Sequence, residues 1–323
     1  MFPILITSAG RRVALMRALG DAARDCGFSP RLVVAEMNPS RSAAAGIADS
    51  AHTVPRCTDP AYVAALIKII RAEGIRLVVP TIDTELAVLA AHRDEIEATG
   101  AKVVVSAPET VALARDKMAF TRFCEERNVR VPKTVSAREF LTGAHHLEFP
   151  VIFKPLAGSR SIGIVRVASA AEIPALNNPG DYIVQELWTG REFTVNFFVG
   201  RDGAVKCVVP HERLEVRDGE VSKGVTRRIA ALCEAGRLIG ASLPGAYGPL
   251  CVQGMLRADG AFAVFEMNAR FGGGYPLAHA AGAHFTRWLA EDALGRPSSA
   301  NDTWTDGRLM LRYDDAVFTD SPV

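Results

Sequence analysis

The sequence predicts a mixed α/β and α+β protein, in which a parallel, doubly wound α/β domain precedes a strand-rich antiparallel region. Short apolar strands alternate with amphipathic helices through the first third of the chain. From residue 151 onward the chain is strand-rich, and three Asp-Gly pairs separate its apolar or alternating runs. Apolar strands alternating with helices are typical of a parallel sheet, whereas Asp-Gly between such runs is typical of hairpins.

The α/β region has four candidate strands and three candidate helices. The strands are predicted at 3–8, 31–36, 77–80 and 102–106, and the helices at 12–25, 60–73 and 84–99. Asp59 and Pro60 supply an N-cap and a first-turn proline for the second helix. Ligands of a doubly wound sheet bind beyond the carboxyl ends of its strands. The candidate ligand contacts at those ends are therefore residues 8–12, Glu36 and residues 81–85.

Two of these strand ends have simpler interpretations as well. The turn in "TSAGRR", residues 7–12, has one glycine and neither a dinucleotide fingerprint nor a Walker lysine. It fits a tight strand-to-helix turn as well as a ligand-facing loop. Asp83 and Glu85 fit a ligand site, but each also suits capping of the next helix.

Composition and charge argue against several classes of function. The chain has 323 residues, a net charge of +1 and six scattered cysteines without a C-x-x-C pair. This charge gives no electrostatic reason to expect nucleic acid or an anionic membrane as a partner. No apolar run approaches the roughly 20 residues that span a bilayer, and the short apolar N-terminus predicts a strand rather than a signal peptide. We expect a cytoplasmic protein with reduced thiols.

The segment "VFEMNARFGGG", residues 264–274, puts unlike polar groups on one face of a strand. Glu266, Asn268 and Arg270 occupy alternate positions, so their side chains point the same way. Carboxylate and amide oxygens suit Mg²⁺, and a guanidinium pairs with phosphate. The pattern therefore indicates a metal–polyphosphate site. The alternative is a surface strand with a solvated polar face, which the flanking apolar residues disfavour.

A second strand is expected beside this one. The Asp-Gly turn at residues 259–260 predicts an antiparallel hairpin in which Gln253 lies roughly opposite Glu266. A lone buried glutamine is usually a satisfied core amide. Its registration with Glu266 makes a role in the metal site the favoured interpretation.

Two further segments suggest nucleotide contacts. Lys154 ends an apolar strand and precedes a small-residue loop, residues 158–163, whose backbone N–H groups could meet phosphates. Taken alone, this segment fits a hairpin tip with an exposed lysine better. The segment 182–200 then predicts two strands with a short connection, and its polar residues beside an aromatic fit a purine pocket.

Together these segments resemble the ATP-grasp superfamily, most closely its carbamoyl-phosphate-synthase-like branch of carboxylate–amine ligases. The matching pieces run in family order from residue 3 to about 295: "ILITSAGRR", "VVPTIDTELAVLA", "ARDKMAF", "FPVIFKPLAGSRSIG", "VQELWTGREFTV" and "CVQG…FEMNARFGGGYPLAHAAG". The resemblance implies three parts, which are an N-terminal preATP-grasp domain at 1–110, a small lid with its linker helix at 111–185, and a C-terminal ATP-grasp domain at 186–323.

The resemblance also implies roles for individual residues. ATP phosphates would contact Lys117, Lys154, Ser159, Ser161 and Gly163. Adenine and ribose would contact Gln185, Glu186, Leu187, Trp188 and Glu192. Mg²⁺ would be held by Gln253, Glu266 and Asn268, with Gln253 also near the nucleotide. Catalytic roles would fall to Lys154, Arg270 and Arg213. Gln253 stands where many relatives have Glu, which lowers the charge of the site, and Gln185 also stands where Glu is common.

The acid substrate should lie near the phosphates. Arg213 is a candidate partner for its carboxylate, with Lys223 assisting, and a solvated hairpin charge is an equally weighted alternative for Arg213. Gly272, Gly273 and Gly274 would let the substrate approach the backbone closely.

Similar enzymes transfer the γ-phosphoryl group of ATP to a carboxylate, and an amine then displaces phosphate from the acylphosphate. The resemblance thus implies an ATP- and Mg-dependent ligase of a small carboxylic acid and an amine, and a homodimer, since relatives are often dimers. Two alternatives stay open. One is a carbamoyl-phosphate-synthase-like kinase acting on bicarbonate or carbamate, and the other is a non-catalytic ATP-binding module. A dehydrogenase is disfavoured because the glycine fingerprint is missing.

Overall fold

The computed structural model describes residues 1–158 and 163–320, and its strands form three sheets. The strands are β1 (Phe2–Thr7), β2 (Pro30–Glu36), β3 (Ser50–Thr53), β4 (Leu77–Pro80), β5 (Lys102–Val103), β6 (Thr134–Ser136), β7 (Val151–Pro155), β8 (Val165–Val167), β9 (Tyr182–Glu186), β10 (Arg191–Val199), β11 (Val205–Arg217), β12 (Glu220–Thr226), β13 (Gly248–Leu256), β14 (Phe262–Asn268) and β15 (Leu309–Leu311). The α-helices are α1 (Val13–Asp25), α2 (Ala43–Gly46), α3 (Tyr62–Glu73), α4 (Asp83–Ala91), α5 (Arg93–Glu97), α6 (Pro108–Arg115), α7 (Lys117–Glu125), α8 (Ala137–Leu141), α9 (Ala230–Ser242), α10 (Tyr275–Ala280) and α11 (Phe285–Ala293).

The first sheet is parallel and has the order β3-β2-β1-β4-β5. This order confirms the predicted doubly wound α/β region, because the chain reverses direction across the sheet at β1. Strand β3 was not predicted, since its sequence "SAHT" has no apolar pattern. The helix expected at 84–99 is two helices, α4 and α5, which meet at His92.

The predicted cap of α3 is wrong in its details. The helix begins at Tyr62, later than expected, and Ala61 occupies the N-cap position without a side-chain hydrogen bond. The Asp59 carboxylate instead accepts the N–H of Ala61, which closes the turn before the helix.

The second sheet has six strands in the order β14-β13-β10-β11-β12-β15 and is antiparallel, as predicted. Its three hairpins turn at the predicted Asp-Gly pairs, residues 202–203, 218–219 and 259–260. The β13–β14 hairpin pairs Gln253 with Glu266, which confirms the predicted register. A bulge follows, because Gly254 pairs with Val264 and leaves Phe265 as an extra residue.

The third sheet has the order β6-β9-β7-β8, and it carries Lys154 near the end of β7. The chain leaves this sheet at β9 and enters the six-stranded sheet at β10 through residues 187–190. Gly190 lets this connection approach β13 closely, since a Cβ there would lie 2.2 Å from the carbonyl oxygen of Leu256. In the part of the chain that the structure describes, the helices are too short or too polar to cross a membrane.

Candidate functional site: two cavities that share a wall

A cavity of about 250 Å³ lies between the four-stranded and six-stranded sheets. Its lining contains nine of the residues that the sequence predicted for the site: Lys117, Lys154, Gln185, Glu186, Leu187, Trp188, Glu192, Gln253 and Glu266. Arg213, the candidate partner of the acid, lines it as well. The topology explains this convergence, because the end of β7, the crossing after β9 and the β13–β14 hairpin all face the gap between the sheets.

Lys154 is buried at the inner end of this cavity. Its Nζ donates a hydrogen bond to Oε1 of Gln185 at 2.8 Å, and Nε2 of Gln185 donates to Thr134. Burial, together with the nearby Lys117 cation, lowers the pKa of Lys154 to about 8, although the Glu266 carboxylate acts in the opposite direction. The hairpin-tip alternative is therefore wrong. A buried ammonium with one neutral partner is well suited to a phosphate group.

Lys117 is the first residue of α7, and Asp116 caps that helix by accepting the N–H groups of Met118 and Ala119. Its Nζ donates to the carbonyl oxygen of Gly158 at 3.3 Å. Burial lowers the pKa of Lys117, with the Glu266 carboxylate opposing the shift. Two lysines thus approach the same end of the cavity from different elements.

The outer wall of the cavity is formed by residues 186–188. The guanidinium of Arg257 lies over the Trp188 ring, with its Cζ 3.7 Å from the ring centroid, and Nη2 donates to Oε1 of Glu186 at 3.1 Å. Arg257 thereby ties the crossing segment to the six-stranded sheet. The indole of Trp188 is held in place by this stacking.

A second cavity, of about 390 Å³, adjoins the first and lies against the carboxyl edge of the parallel sheet. Six charged side chains among the described residues line it: Arg12, Asp83, Arg213, Glu220, Glu266 and Arg270. Asn268 and residues 272–274 complete one side. Arg213, Gly219, Gln253 and Glu266 line both cavities, so these residues form the shared wall.

The bulge in β14 explains how Glu266 reaches this wall. In a regular strand Phe265 and Glu266 would point to opposite faces, but both line the first cavity. Within the described residues neither Glu266 nor Gln253 has a side-chain hydrogen bond. Burial raises the pKa of Glu266, although Lys117 and Lys154 oppose the shift. A half-buried carboxylate and a half-buried amide with free oxygens fit a hard cation such as Mg²⁺.

Arg270 is held by the parallel-sheet region. Its Nη2 donates to Oδ2 of Asp83 at 2.5 Å and to Oδ1 of Asn268 at 3.1 Å, and Nη1 donates to the carbonyl of Phe271. Burial acts to lower the pKa of Arg270, but the Asp83 carboxylate outweighs it and the pKa is raised. Asp83 therefore belongs to the site, whereas Glu85 accepts the N–H groups of Thr81 and Ile82 and serves as the helix cap.

Arg213 is buried between the two cavities. Its Nε lies 3.2 Å from Oε1 of Glu192, and Nη2 donates to the carbonyl of Gly219 at 3.1 Å. The alternative of a solvated hairpin charge is wrong for this residue. The expected assistance from Lys223 is also wrong, because Lys223 is half exposed and pairs with Glu215.

The glycines at 272–274 do line the second cavity, but the structure provides a different reason for their small size. A Cβ on Gly273 would lie 2.9 Å from Oε1 of Glu220, and a Cβ on Gly274 would lie 2.5 Å from Nε2 of His211. The protein's own side chains thus occupy the space that was expected to admit the substrate.

Three phosphate-loop residues were predicted, namely Ser159, Ser161 and Gly163. Ser159 and Ser161 lie outside the described residues. Gly163 is described, but it is not among the residues that line either cavity. A Cβ on Gly163 would lie 3.0 Å from Cγ of Pro155.

Two residues of the site had no specific role assigned from the sequence. Arg12 lay in the "TSAGRR" turn, and the structure places it in the second cavity, which supports the ligand-facing interpretation of that turn. Glu220 directly follows the Asp-Gly turn at 218–219 and gives no signal of its own. It reaches the cavity because β12 lies beside β11.

Comparisons with known families agree with this architecture. The PylC-like N-terminal domain family matches residues 4–104, and the ATP-grasp domain family matches residues 114–274. The two matches therefore follow one another along most of the chain. No curated protein matches the sequence.

Several solved structures share the fold. N5-carboxyaminoimidazole ribonucleotide synthetase from Thermotoga maritima is 18% identical, with a TM-score of 0.67, and the match covers 94% of this chain and 78% of that one. L-amino acid ligase from Bacillus licheniformis is 17% identical, with a TM-score of 0.67 and coverages of 93% and 75%.

The biotin carboxylase domain dimer of 2-oxoglutarate carboxylase from Hydrogenobacter thermophilus, solved with MgADP, ADP and bicarbonate, is 16% identical. Its TM-score is 0.73, and the match covers 94% of this chain and 72% of that one. At such identities the likeness concerns the fold.

Proposed function

Because the chain belongs to the ATP-grasp superfamily, as its motifs predicted, we propose that it is an ATP- and Mg²⁺-dependent carboxylate–amine ligase. In the proposed reaction a substrate carboxylate takes the γ-phosphoryl group of ATP, which releases ADP. The amine, once its ammonium form has lost one proton, attacks the acylphosphate, so that an amide and inorganic phosphate are formed.

One observation carries this proposal. The cavity with two lysines and the cavity with three guanidiniums share a wall that includes Arg213, Gln253 and Glu266. A nucleotide in the first cavity would point its phosphates toward this wall, and an acid in the second cavity would meet them there. Placing the reactants side by side is the main contribution a protein makes to phosphoryl transfer.

The lysines would hold the phosphates. Lys154 is buried and Lys117 approaches from α7, so each offers an ammonium group to the same end of the nucleotide cavity. Phosphate oxygens would compensate their burial and restore the ordinary charged state of Lys154. Residues 185–188 and Glu192, which line the same cavity, would contact adenine and ribose.

Mg²⁺ would be held by Glu266, Gln253 and Asn268. The first two have free side-chain oxygens within the described chain, and Oδ1 of Asn268 keeps acceptor capacity beside its bond from Arg270. When bound, the ion supplies positive charge that polarises the phosphoryl oxygens. With a neutral amide at Gln253, the three side chains provide a single negative charge.

Arg270 and Arg213 would neutralise charge on the acid side. Arg270 is fixed by Asp83 and Asn268, and Arg213 is fixed by Glu192, so neither guanidinium must be ordered during the reaction. Preorganised donors aimed at developing charge are an effective form of catalysis. The proposed reaction needs no covalent nucleophile from the protein.

The proposal is tested by incubating the protein with Mg-ATP and pools of carboxylic acids and amines, and by measuring ADP, AMP and phosphate. We expect ADP and phosphate only when an acid and an amine are both present. Release with bicarbonate alone would support the carbamoyl-phosphate-synthase-like alternative. AMP and pyrophosphate would contradict both reactions, and tight ATP binding without turnover on any pool would support a binding module.

A further inference from the structure

Three guanidiniums and three carboxylates line the second cavity, but the guanidiniums differ in the number of hydrogen bonds that they make. Arg270 makes three hydrogen bonds, and Arg213 is bonded to the Gly219 carbonyl beside Glu192. Arg12, the third guanidinium, makes no side-chain hydrogen bond within residues 1–158 and 163–320. Among these three guanidiniums Arg12 is therefore the one without any hydrogen bond, although Nε of Arg213 and Nε of Arg270 are also buried without a partner in the described chain.

Arg12 is nevertheless largely buried, since its side chain is 18% exposed. Its Nη2 lies 3.4 Å from Oε1 of Glu220, in a geometry that makes no hydrogen bond. The other oxygen of Glu220 accepts a hydrogen bond from Nη1 of Arg312 at 3.1 Å. Arg12 therefore shares a single carboxylate with Arg312 and keeps hydrogen-bond donors for a further anion in the cavity that it lines.

The surroundings of Arg12 indicate the kind of anion. A guanidinium fork matches either a carboxylate or a phosphate. Glu220, however, stands beside it, and Asp83 lies in the same cavity, so a phosphate dianion would lie near two carboxylates even though each already has one arginine partner. A carboxylate carries less charge. If its molecule also bears an ammonium group, Glu220 and Asp83 change from opposing charges into partners.

We propose that the second cavity binds a free α-amino acid, with its carboxylate on Arg12 and its ammonium group facing Glu220 and Asp83. This inference rests on the proposed ligase function only for the role of the bound molecule, which would be the substrate that supplies the amine. Arg12 is then the residue that makes the site specific for amines that carry a carboxylate.

The test measures binding and does not require turnover. The protein saturated with Mg-ADP is titrated with each proteinogenic L-α-amino acid and, for those that bind, with the matching α-carboxamide and with ethanolamine phosphate. We expect at least one free amino acid to bind, and its carboxamide to bind about 10- to 100-fold more weakly, because one charged pair is lost.

The variant Arg12→Gln should weaken binding of the free amino acid by a similar factor and leave binding of the carboxamide nearly unchanged. Arg17→Gln, on the exposed face of α1, is the matched control and should change neither. Binding of Mg-ADP to Arg12→Gln, which should equal that of the wild type, verifies that the variant is folded, because Arg12 does not line the nucleotide cavity.

Three results would overturn the inference. They are no binding by any amino acid, equal weakening of acid and carboxamide by Arg12→Gln, and tighter binding of ethanolamine phosphate than of every amino acid. Failure of the ligase proposal is distinguishable from these, since amino acids would then bind as described while no acid–amine pair released ADP.

Discussion

Arg270, at the end of β14, donates a hydrogen bond to Asp83, the first residue of α4, although 187 positions separate them in the chain. This pair joins the six-stranded sheet to the carboxyl edge of the parallel sheet. It also fixes the guanidinium that faces the shared wall of the two cavities. The pair therefore links the position of the N-terminal region to the geometry of the candidate active site.

Replacing Asp83 by alanine should harm both stability and turnover. Arg270 would stay buried without its carboxylate, and we expect the free energy of unfolding to fall by about 2–4 kcal/mol. The rate of ADP release should drop roughly 10- to 100-fold. Denaturant unfolding and steady-state kinetics measure the two effects. Asp94→Ala, an exposed change on α5, is the control, and equal behaviour of the two variants would refute the structural role of the pair.

Replacing Glu266 by glutamine should remove the one carboxylate of the proposed Mg²⁺ site. We expect turnover to fall at least about 100-fold, because the phosphoryl charge loses its counter-ion. The circular-dichroism spectrum and melting temperature should change little, since the glutamine keeps the volume. Glu215→Gln on β11, an exposed site, is the control. Near-normal turnover of Glu266→Gln would mean that the metal assignment is wrong.

The lowered pKa of Lys154 predicts a pH dependence of nucleotide binding. As the pH rises through about 8, the ammonium of the free protein loses its proton. ATP affinity should therefore fall, by about 10-fold at pH 9, because a bound phosphate prefers the charged lysine. Titration calorimetry measures this loss of ATP affinity between pH 6.5 and 9.5, a range that spans roughly one and a half units on either side of that pKa.

Two variants test whether this pH dependence of ATP affinity arises from Lys154. Lys154→Met should bind ATP weakly and without this pH dependence, whereas Lys68→Met, on the exposed face of α3, should behave as the wild type. The lowered pKa of Lys154 also affects the stability of the folded protein. Between about 8 and the ordinary value of 10.5 only the unfolded chain binds the proton at Lys154, so the free energy of unfolding should rise with pH there. A flat ATP affinity in the wild type would count against the assignment of Lys154.

Gly190 offers a test of the crossing between the sheets. Gly27 and Gly190 both have positive φ, but in the described structure a Cβ on Gly27 would meet no atom within 4 Å. Gly27→Ala should cost about 1–2 kcal/mol of unfolding free energy. Gly190→Ala should cost at least about 3 kcal/mol, because backbone strain is joined by a clash with the Leu256 carbonyl. If denaturant unfolding shows the same loss of unfolding free energy for both variants, the close approach of Gly190 to Leu256 does not contribute to stability.

Local signals in the sequence were sufficient to predict the parallel α/β region, the antiparallel hairpins and the pairing of Gln253 with Glu266. The Asp-Gly turn at 259–260 sets the register of its hairpin, and alternation then pairs Gln253 with Glu266. The apolar run before Lys154 likewise predicted the strand that buries it. Each of these relations is made by residues close together in the chain, or by a turn whose geometry its residues determine.

Other features depend on packing between distant elements, and the sequence carries no local signal for them. The bond between Asp83 and Arg270 and the approach of Glu220 to Arg12 arise only when the parallel sheet and the six-stranded sheet pack together. Lys223 and Glu215 form an exposed cross-strand pair. The side chain of Lys223 therefore points away from the cavity in which it was expected to assist. The bulge at Phe265 likewise has no local signal in the sequence, because β14 itself contains no glycine or proline.

The segment 187–190 is both a covalent joint and part of a binding surface. It connects β9 of the four-stranded sheet to β10 of the six-stranded sheet, and Leu187 and Trp188 line the smaller cavity. A molecule bound there touches both sheets beside the segment that joins them. If the proposed nucleotide binds in this cavity, its affinity would therefore depend on how closely the joint holds the two sheets together.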